Sequence, residues 1–149
     1  MTSAQPDFPV RKYIYDHFLR TGTAPTIATA AAELSRTETQ MREALASISA
    51  TGAITLDRDT GEIWRAAPFC AVPTGFAVEC GGRRLWGTCA WDALGVPAML
   101  HEQATITASC GCCNQQMTIS AGPQGLSGDS GVIHIAVPAR EWYDDIVFT

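Results

Sequence analysis

The chain has 149 residues, 46% hydrophobic and 17% charged, which is enough to bury a core in one ordinary domain or two small ones. Its formal net charge of −5 argues against a surface that neutralises nucleic-acid phosphates. The N-terminus lacks a charged stretch followed by an apolar run, and no window is apolar enough to span a membrane, so a cytoplasmic protein is predicted. Its six cysteines would be mostly reduced there, which favours metal-binding or nucleophilic roles over structural disulfides.

Residues 1–66 are predicted to form a winged-helix-like unit of three helices followed by a β-hairpin. Apolar residues recur at helical spacing in the first and third helices, and Thr37 with Gln40 fits a capping box at the start of the third. Asp59-Thr60-Gly61 is a hairpin-turn signal between two short strands. The unit contains seven Lys or Arg and eight Asp or Glu, a balance that favours a scaffold over a DNA-reading domain.

Residues 67–75, with Pro68 and Pro73, are predicted to be a packed linker, and residues 76–149 a second domain. This domain is predicted to be a small mixed β-sheet with a central helix, which makes the chain α+β. Gly81-Gly82 indicates one hairpin turn and residues 110–114 another. We further predict a loop at PQGLSGDSG (123–131), a strand at GVIHIAVP (131–138), with His134 as a sheet residue, and packing by the apolar residues of EWYDDIVFT (141–149).

The stretch RRLWGTCAWDALGVPAML (83–100) carries the strongest chemical signal. Cys89 and Asp92 lie three residues apart among apolar residues. If a helix begins at Ala90, its free N–H groups and dipole favour a thiolate at Cys89, whereas apolar surroundings favour a protonated Asp92. A thiolate beside a proton donor can attack a soft electrophile and then protonate the departing group. The alternative is that Cys89 is a small buried hydrophobe and Asp92 a helix-start residue.

A second sulfur-rich feature is the sequence Cys110-Gly111-Cys112-Cys113. No second cysteine pair with zinc-finger spacing accompanies it, so a closed tetrahedral zinc site is not indicated. Clustered thiolates prefer soft ions such as Cu(I) or Hg(II). Cys110, Cys112 and Cys113 are therefore candidate metal ligands, and the alternative is a tight turn with incidental cysteines.

The run RRLWGTCAWDALGVPAML, followed by ATITASC, resembles the core of the organomercurial lyases, also called alkylmercury lyases. The sequence motifs are similar over about Phe76–Thr118, and before that only the order of the helices and the hairpin is similar. It implies an enzyme that cleaves carbon–mercury bonds, in which two cysteine thiolates take the mercury and an aspartate moves a proton to the departing carbon. On the matching positions it implies that Cys89 is the first catalytic cysteine and Asp92 the catalytic aspartate, with Cys110 as a further, non-catalytic cysteine.

The resemblance also implies a detoxifying, mercury-resistance role. The substrate would be a small-molecule organomercurial and the bound product Hg(II), with no cofactor required. Cellular thiols or a mercuric-ion acceptor would take the product, and neither nucleic acid nor membrane would be a partner. The second catalytic cysteine of the family follows a segment like EWYDDIVFT, and the sequence ends at Thr149. The expected alternatives are a gene that continues past codon 149, for example through a recoded selenocysteine, or a sulfur from Cys112 or Cys113, although we expect their turn to lie apart from Cys89.

Two other functions fit the same residues. The first is a winged-helix, thiol-based metal or redox sensor that regulates transcription and binds its effector through residues 110–113. The second is a soft-metal-binding module without catalysis. A DNA-binding sensor should show a basic face, which the composition of residues 1–66 does not favour.

Overall fold

The computed structural model describes residues 7–142 and 144 and shows four α-helices and two antiparallel sheets. The helices are α1 (Phe8–Thr21), α2 (Ile27–Glu33), α3 (Glu38–Ser49) and α4 (Ala90–Leu100). The strands are β1 (Ile54–Leu56), β2 (Ile63–Ala66), β3 (Phe69–Cys70), β4 (Phe76–Cys80), β5 (Arg83–Gly87), β6 (Ala104–Ser109), β7 (Gln116–Gly122) and β8 (Gly125–Gly128). The predicted α+β class is confirmed.

The N-terminal helices pack through the apolar faces that the sequence predicts. Side chains three or four residues apart lie on one side of a helix, and these positions are fully buried in α1 and α3. The buried residues are Val10, Ile14, Phe18, Met41, Leu45 and Ile48. The predicted capping box is also present: Gln40 N donates to Thr37 Oγ1 at 3.2 Å, and Thr37 N donates to Gln40 Oε1 at 2.9 Å.

The first sheet has the strand order β1-β2-β3 and contains the predicted hairpin. Its third strand lies within residues 67–75, the predicted linker, and pairs with β2. Phe69 is fully buried and stacks on Phe18 with ring centroids 5.4 Å apart, so this segment is packed against α1. Loss of a buried ring of this kind costs about 3–5 kcal/mol. The hydrophobic core runs through both parts of the chain, and the winged-helix likeness and the domain division remain predictions.

The second sheet has the order β5-β4-β6-β7-β8 and is antiparallel throughout, so the prediction of a mixed sheet is wrong. Short turns join β4 to β5, β6 to β7 and β7 to β8, and a short turn can connect only antiparallel neighbours. Because β5 and β6 are both antiparallel to β4, they run in the same direction on either side of it. The helix α4 connects them, packing on β4, β5 and β6.

The end of the sheet differs from the prediction in two places. The predicted loop at 123–131 contains β8, because the turn after Gly122 places Gly125 directly opposite it and the ladder continues to Gly128. The predicted strand GVIHIAVP is not a strand, and Val132 is 93% exposed. Apolar residues form a strand only where they can pair with a sheet edge and pack against a buried face. Most of the predicted packing residues of 141–149 lie outside the described residues; Trp142 is half-buried and donates to Val137 O at 2.8 Å.

The helix α4 begins at Ala90, as predicted. It continues through Pro97 to Leu100, where a break or kink was predicted. Among the described helices, none combines the length and apolarity needed to cross a membrane.

Candidate active site

Cys89 and Asp92 lie together at the start of α4. Cys89 is the N-cap residue, with extended backbone angles (φ −148°, ψ 179°), and Asp92 is the third residue of the first turn. N-cap and third-position side chains are neighbours over a helix start, which is why they pair in capping boxes. Here the Cys89 side chain makes no capping hydrogen bond and is only half-buried. Cys89 is therefore a partly exposed residue at the positive end of the helix dipole, three residues before a carboxyl group.

Asp92 is buried, with a residue exposure of 4%, and it forms an ion pair with Arg65. Arg65 Nε donates to Asp92 Oδ2 at 3.1 Å and Arg65 Nη2 donates to Asp92 Oδ1 at 3.2 Å. Both carboxylate oxygens are thus held by one guanidinium in the bidentate arrangement that fixes a carboxylate most firmly. The prediction of wholly apolar surroundings for Asp92 is wrong, because Arg65 is buried beside it, whereas Trp91 is 63% exposed.

The polypeptide between β5 and α4 provides a third contact. Thr88 Oγ1 donates to Asp92 Oδ2, so this oxygen accepts from two side chains. Thr74 Oγ1 donates to Gly87 O at 2.5 Å and fixes the end of β5. A Cβ at Gly87 would lie 2.6 Å from Ala93 N, so glycine at this position lets the first turn of α4 pack directly on the strand. These contacts set the position of Asp92 relative to Arg65.

Arg65 was not among the residues predicted for the site. It lies on β2, two residues after buried Ile63, and alternation along a strand puts both side chains on the same face. An arginine on the apolar face of a hairpin is a sequence signal for a buried partner, since charged side chains are rarely buried unpaired. Arg65 Nη1 is buried and makes no hydrogen bond to the described residues.

A buried thiol and a phenol lie near this ion pair. Cys70 on β3 is directly opposite Arg65 in the strand register, and its Sγ lies 3.7 Å from Trp64 O. Burial raises the pKa of the Cys70 thiol, which keeps it protonated. Tyr15 donates to Ala67 O at 2.8 Å, and burial raises its pKa as well. Both groups are neutral at pH 7, so Arg65 and Asp92 carry the charge in this region.

Cys110, Cys112 and Cys113 lie on the turn between β6 and β7. Cys110 is half-buried, and Cys112 and Cys113 are exposed. In the described part of the chain, no three side chains of His, Cys, Asp or Glu converge in a way that could hold a metal ion. A soft-ion site at this turn would therefore have fewer than three protein ligands.

The sequence matches the alkylmercury lyase (MerB) family over residues 69–149. The fold resembles the crystal structure of the mercury-bound form of MerB2, with a TM-score of 0.65 and 17% sequence identity. That likeness covers 85% of this chain, more than the family match does, and this chain spans 60% of the MerB2 chain. No curated protein sequence matches significantly. Cys89, Asp92 and Cys110 lie within the matched residues and Arg65 lies before them.

Proposed function

Because the chain belongs to the alkylmercury lyase family, we propose that it cleaves the carbon–mercury bond of small organomercurials and releases a hydrocarbon and Hg(II). The observation that carries this proposal is the start of α4, where a partly exposed cysteine at the N-cap precedes a buried carboxylate by three residues. Such a reaction would detoxify the substrate.

Cys89 is proposed to bind the mercury atom. Mercury is a soft acid and takes sulfur ligands in preference to oxygen or nitrogen. The exposed ring of Trp91, two residues along the chain, offers an apolar surface for the organic group.

Asp92 is proposed to carry the proton. In the ion pair it is the anionic partner, so it can accept the proton that Cys89 releases when its sulfur binds mercury. It then donates this proton to the carbon as the carbon–mercury bond breaks. Arg65 and Thr88 hold the carboxylate in one orientation throughout.

The reaction balances when the organomercurial enters as its thiolate adduct, R–Hg–SR′. Cys89 replaces the organic group on mercury and the thiol proton leaves on carbon, which gives R–H and Cys89–S–Hg–SR′ without any change of oxidation state. The two sulfurs on the product mercury are those of Cys89 and the small thiol. A second protein cysteine or a cellular thiol can subsequently replace the small thiol.

The test is incubation of the reduced protein with a methylmercury or phenylmercury thiolate adduct, with measurement of released hydrocarbon and retained Hg(II). We expect Cys89→Ser to abolish hydrocarbon release and to weaken retention of Hg(II), because a hydroxyl group ionises far less readily and is a poor ligand for a soft ion. Cys112→Ser changes an exposed thiol and is the matched control, expected to cleave at the parent rate. Unchanged cleavage by Cys89→Ser would reject the assignment.

A further inference from the structure

The turn between β6 and β7 has a defined backbone shape. Asn114 N donates to Cys110 O at 2.8 Å, and Cys110 N donates to Gln115 O at 2.8 Å. Asn114 has a left-handed conformation (φ 58°), which asparagine tolerates better than most residues. These contacts close the turn and hold its two ends together.

Within this turn, Cys110 and Cys113 contact each other. The backbone N–H groups of Cys113 and Cys112 point to the sulfur of Cys110, and the Cys113 side chain hydrogen-bonds to the same sulfur. These three donors, the backbone of Cys113 first, hold the pKa of Cys110 below its usual value. Cys112 contributes only its backbone N–H to these contacts. Cys110 and Cys113, which have C-x-x-C spacing, are therefore the two cysteines whose side chains interact.

We propose that Cys110 and Cys113 form a two-sulfur binding site for a soft cation, separate from Cys89 and Asp92. Two thiolates complete the linear coordination that soft d¹⁰ ions such as Hg(II) adopt with sulfur. The absence of a third converging ligand among the described residues disfavours Zn²⁺, which needs four. Cys113 is exposed and Cys110 is partly exposed, so the site can exchange ions with thiols in solution.

Loading of this site is an exchange without redox chemistry. A mercuric bis-thiolate, Hg(SR)₂, reacts with the Cys110 and Cys113 thiols to give one protein-bound mercury and two RSH molecules. Two mercury–sulfur bonds break and two form, and the protein protons leave on the displaced thiolates.

The sheet places this site at the same end of the structure as Cys89. Gly87 on β5 and Ala108 on β6 are both paired with Phe76, which lies between them. The strands β5 and β6 run in the same direction, and Cys89 and Cys110 each come two residues after these paired positions, beyond the end of the strand. Two strand spacings, roughly 10 Å, separate the backbones of Gly87 and Ala108. Cys89 and Cys110 therefore both follow the end of the sheet at which β5 and β6 finish.

The test uses the full chain carrying Cys89→Ser, kept reduced with a phosphine and titrated with Hg(II) as the complex of a small monothiol. Bound mercury is measured by sulfur-to-mercury absorbance and after gel filtration. We expect one mercury to be retained. Adding Cys110→Ser or Cys113→Ser should weaken retention at least ~100-fold, because the chelating effect of two thiols on one turn is lost. Cys112→Ser is the matched control and should change it by no more than about twofold.

A second measurement needs no substitution. Iodoacetamide alkylation of the unmutated chain, mapped by mass spectrometry with and without one equivalent of Hg(II), should show protection of Cys110 and Cys113 and continued alkylation of Cys112. Three results would overturn the proposal. In the first, Cys112→Ser loses as much mercury as Cys110→Ser or Cys113→Ser, and in the second, Hg(II) protects Cys112 from alkylation as strongly as Cys110 and Cys113. In the third, Cys110→Ser and Cys113→Ser retain mercury as the parent does. Because these experiments measure retention without carbon–mercury cleavage, their outcome is independent of whether the protein is a lyase.

Discussion

Arg65 and Asp92 are joined by two hydrogen bonds of 3.1 and 3.2 Å in a buried ion pair that links β2 to the first turn of α4. Only 9% of the Arg65 side chain and 5% of the Asp92 side chain are exposed. A buried ion pair contributes little net stability relative to a well-packed apolar pair, but removal of one partner leaves an uncompensated charge. This asymmetry decides how substitutions at the site should be interpreted.

Asp92→Asn should abolish carbon–mercury cleavage and also destabilise the fold. The amide has nearly the same shape, but it cannot carry the proton and it leaves the Arg65 cation without a counter-ion, which costs about 3–5 kcal/mol. Mercury binding by Cys89 should persist in the folded protein. The measurements are urea unfolding, hydrocarbon release and retention of Hg(II).

The matched control is the double variant Arg65→Met/Asp92→Leu, which removes both charges. Its stability should lie close to that of the parent, because paired charges replaced by apolar groups are often neutral. It should still release no hydrocarbon. A double variant that cleaves at the parent rate would show that Asp92 is structural only.

Arg65→Lys is expected to lower both stability and cleavage although the charge is kept. Lysine offers a point charge in place of the planar fork, so the two parallel hydrogen bonds to Asp92 cannot both form. A positioning role predicts in addition that the pH profile of hydrocarbon release shifts, which a purely structural defect would not produce. Arg84→Lys changes an exposed arginine and should alter stability by less than about 0.5 kcal/mol. Identical pH profiles for the parent and Arg65→Lys would contradict the positioning role.

Gly87→Ala should displace the start of α4. The added Cβ would lie 2.6 Å from Ala93 N and 3.0 Å from Ala93 Cα, both backbone atoms that cannot rotate away. We expect a loss of about 1–3 kcal/mol and a fall in cleavage. Gly75→Ala adds the same atom where no heavy atom lies within 4 Å and is the control, expected to be nearly neutral. Equal stability of the two variants, measured by thermal unfolding, would show that the helix start adapts freely.

Alkylation of Cys110 by iodoacetamide should begin at a lower pH than is usual for a free thiol, whose pKa is about 8.5. The backbone N–H groups of Cys113 and Cys112 and the Cys113 side chain lower the pKa of Cys110, and a lowered pKa means more thiolate at a given pH. Burial raises the pKa of Cys80, so its alkylation should begin at a higher pH. Peptide mapping across a pH series measures both midpoints. A midpoint for Cys110 at or above that of Cys80 would contradict the turn geometry.

The sequence predicts those parts of the fold that depend on local pattern. The buried faces of α1 and α3, the capping box at Thr37 and the start of α4 at Ala90 follow from residue spacing and helix-end chemistry. The hairpins at Gly81-Gly82 and at residues 110–114 follow from turn residues. Cys89 and Asp92 are close in sequence, so the helix start alone brings them together.

Features that depend on distant pairing were missed. Arg65 precedes Asp92 by 27 residues, and no local pattern joins a strand of one sheet to a helix packed on another. The strand β8 consists of Gly125, Leu126, Ser127 and Gly128, whose low strand propensity is overridden by the free edge of β7. GVIHIAVP has a high strand propensity, but in the described structure it does not form a strand.

The ion pair also bears on how such a protein can be inherited or rearranged. The residues that match the lyase family begin at Phe69, after the codon for Arg65. A recombination event that moved only the matched segment onto a new N-terminal partner would carry Asp92 without its cation, and the new partner would have to provide one at the same place. Residues 65 and 92 are therefore expected to be inherited together. Exchange of residues 1–66 between relatives is expected to preserve the ion pair only where the incoming β2 also has an arginine at this position.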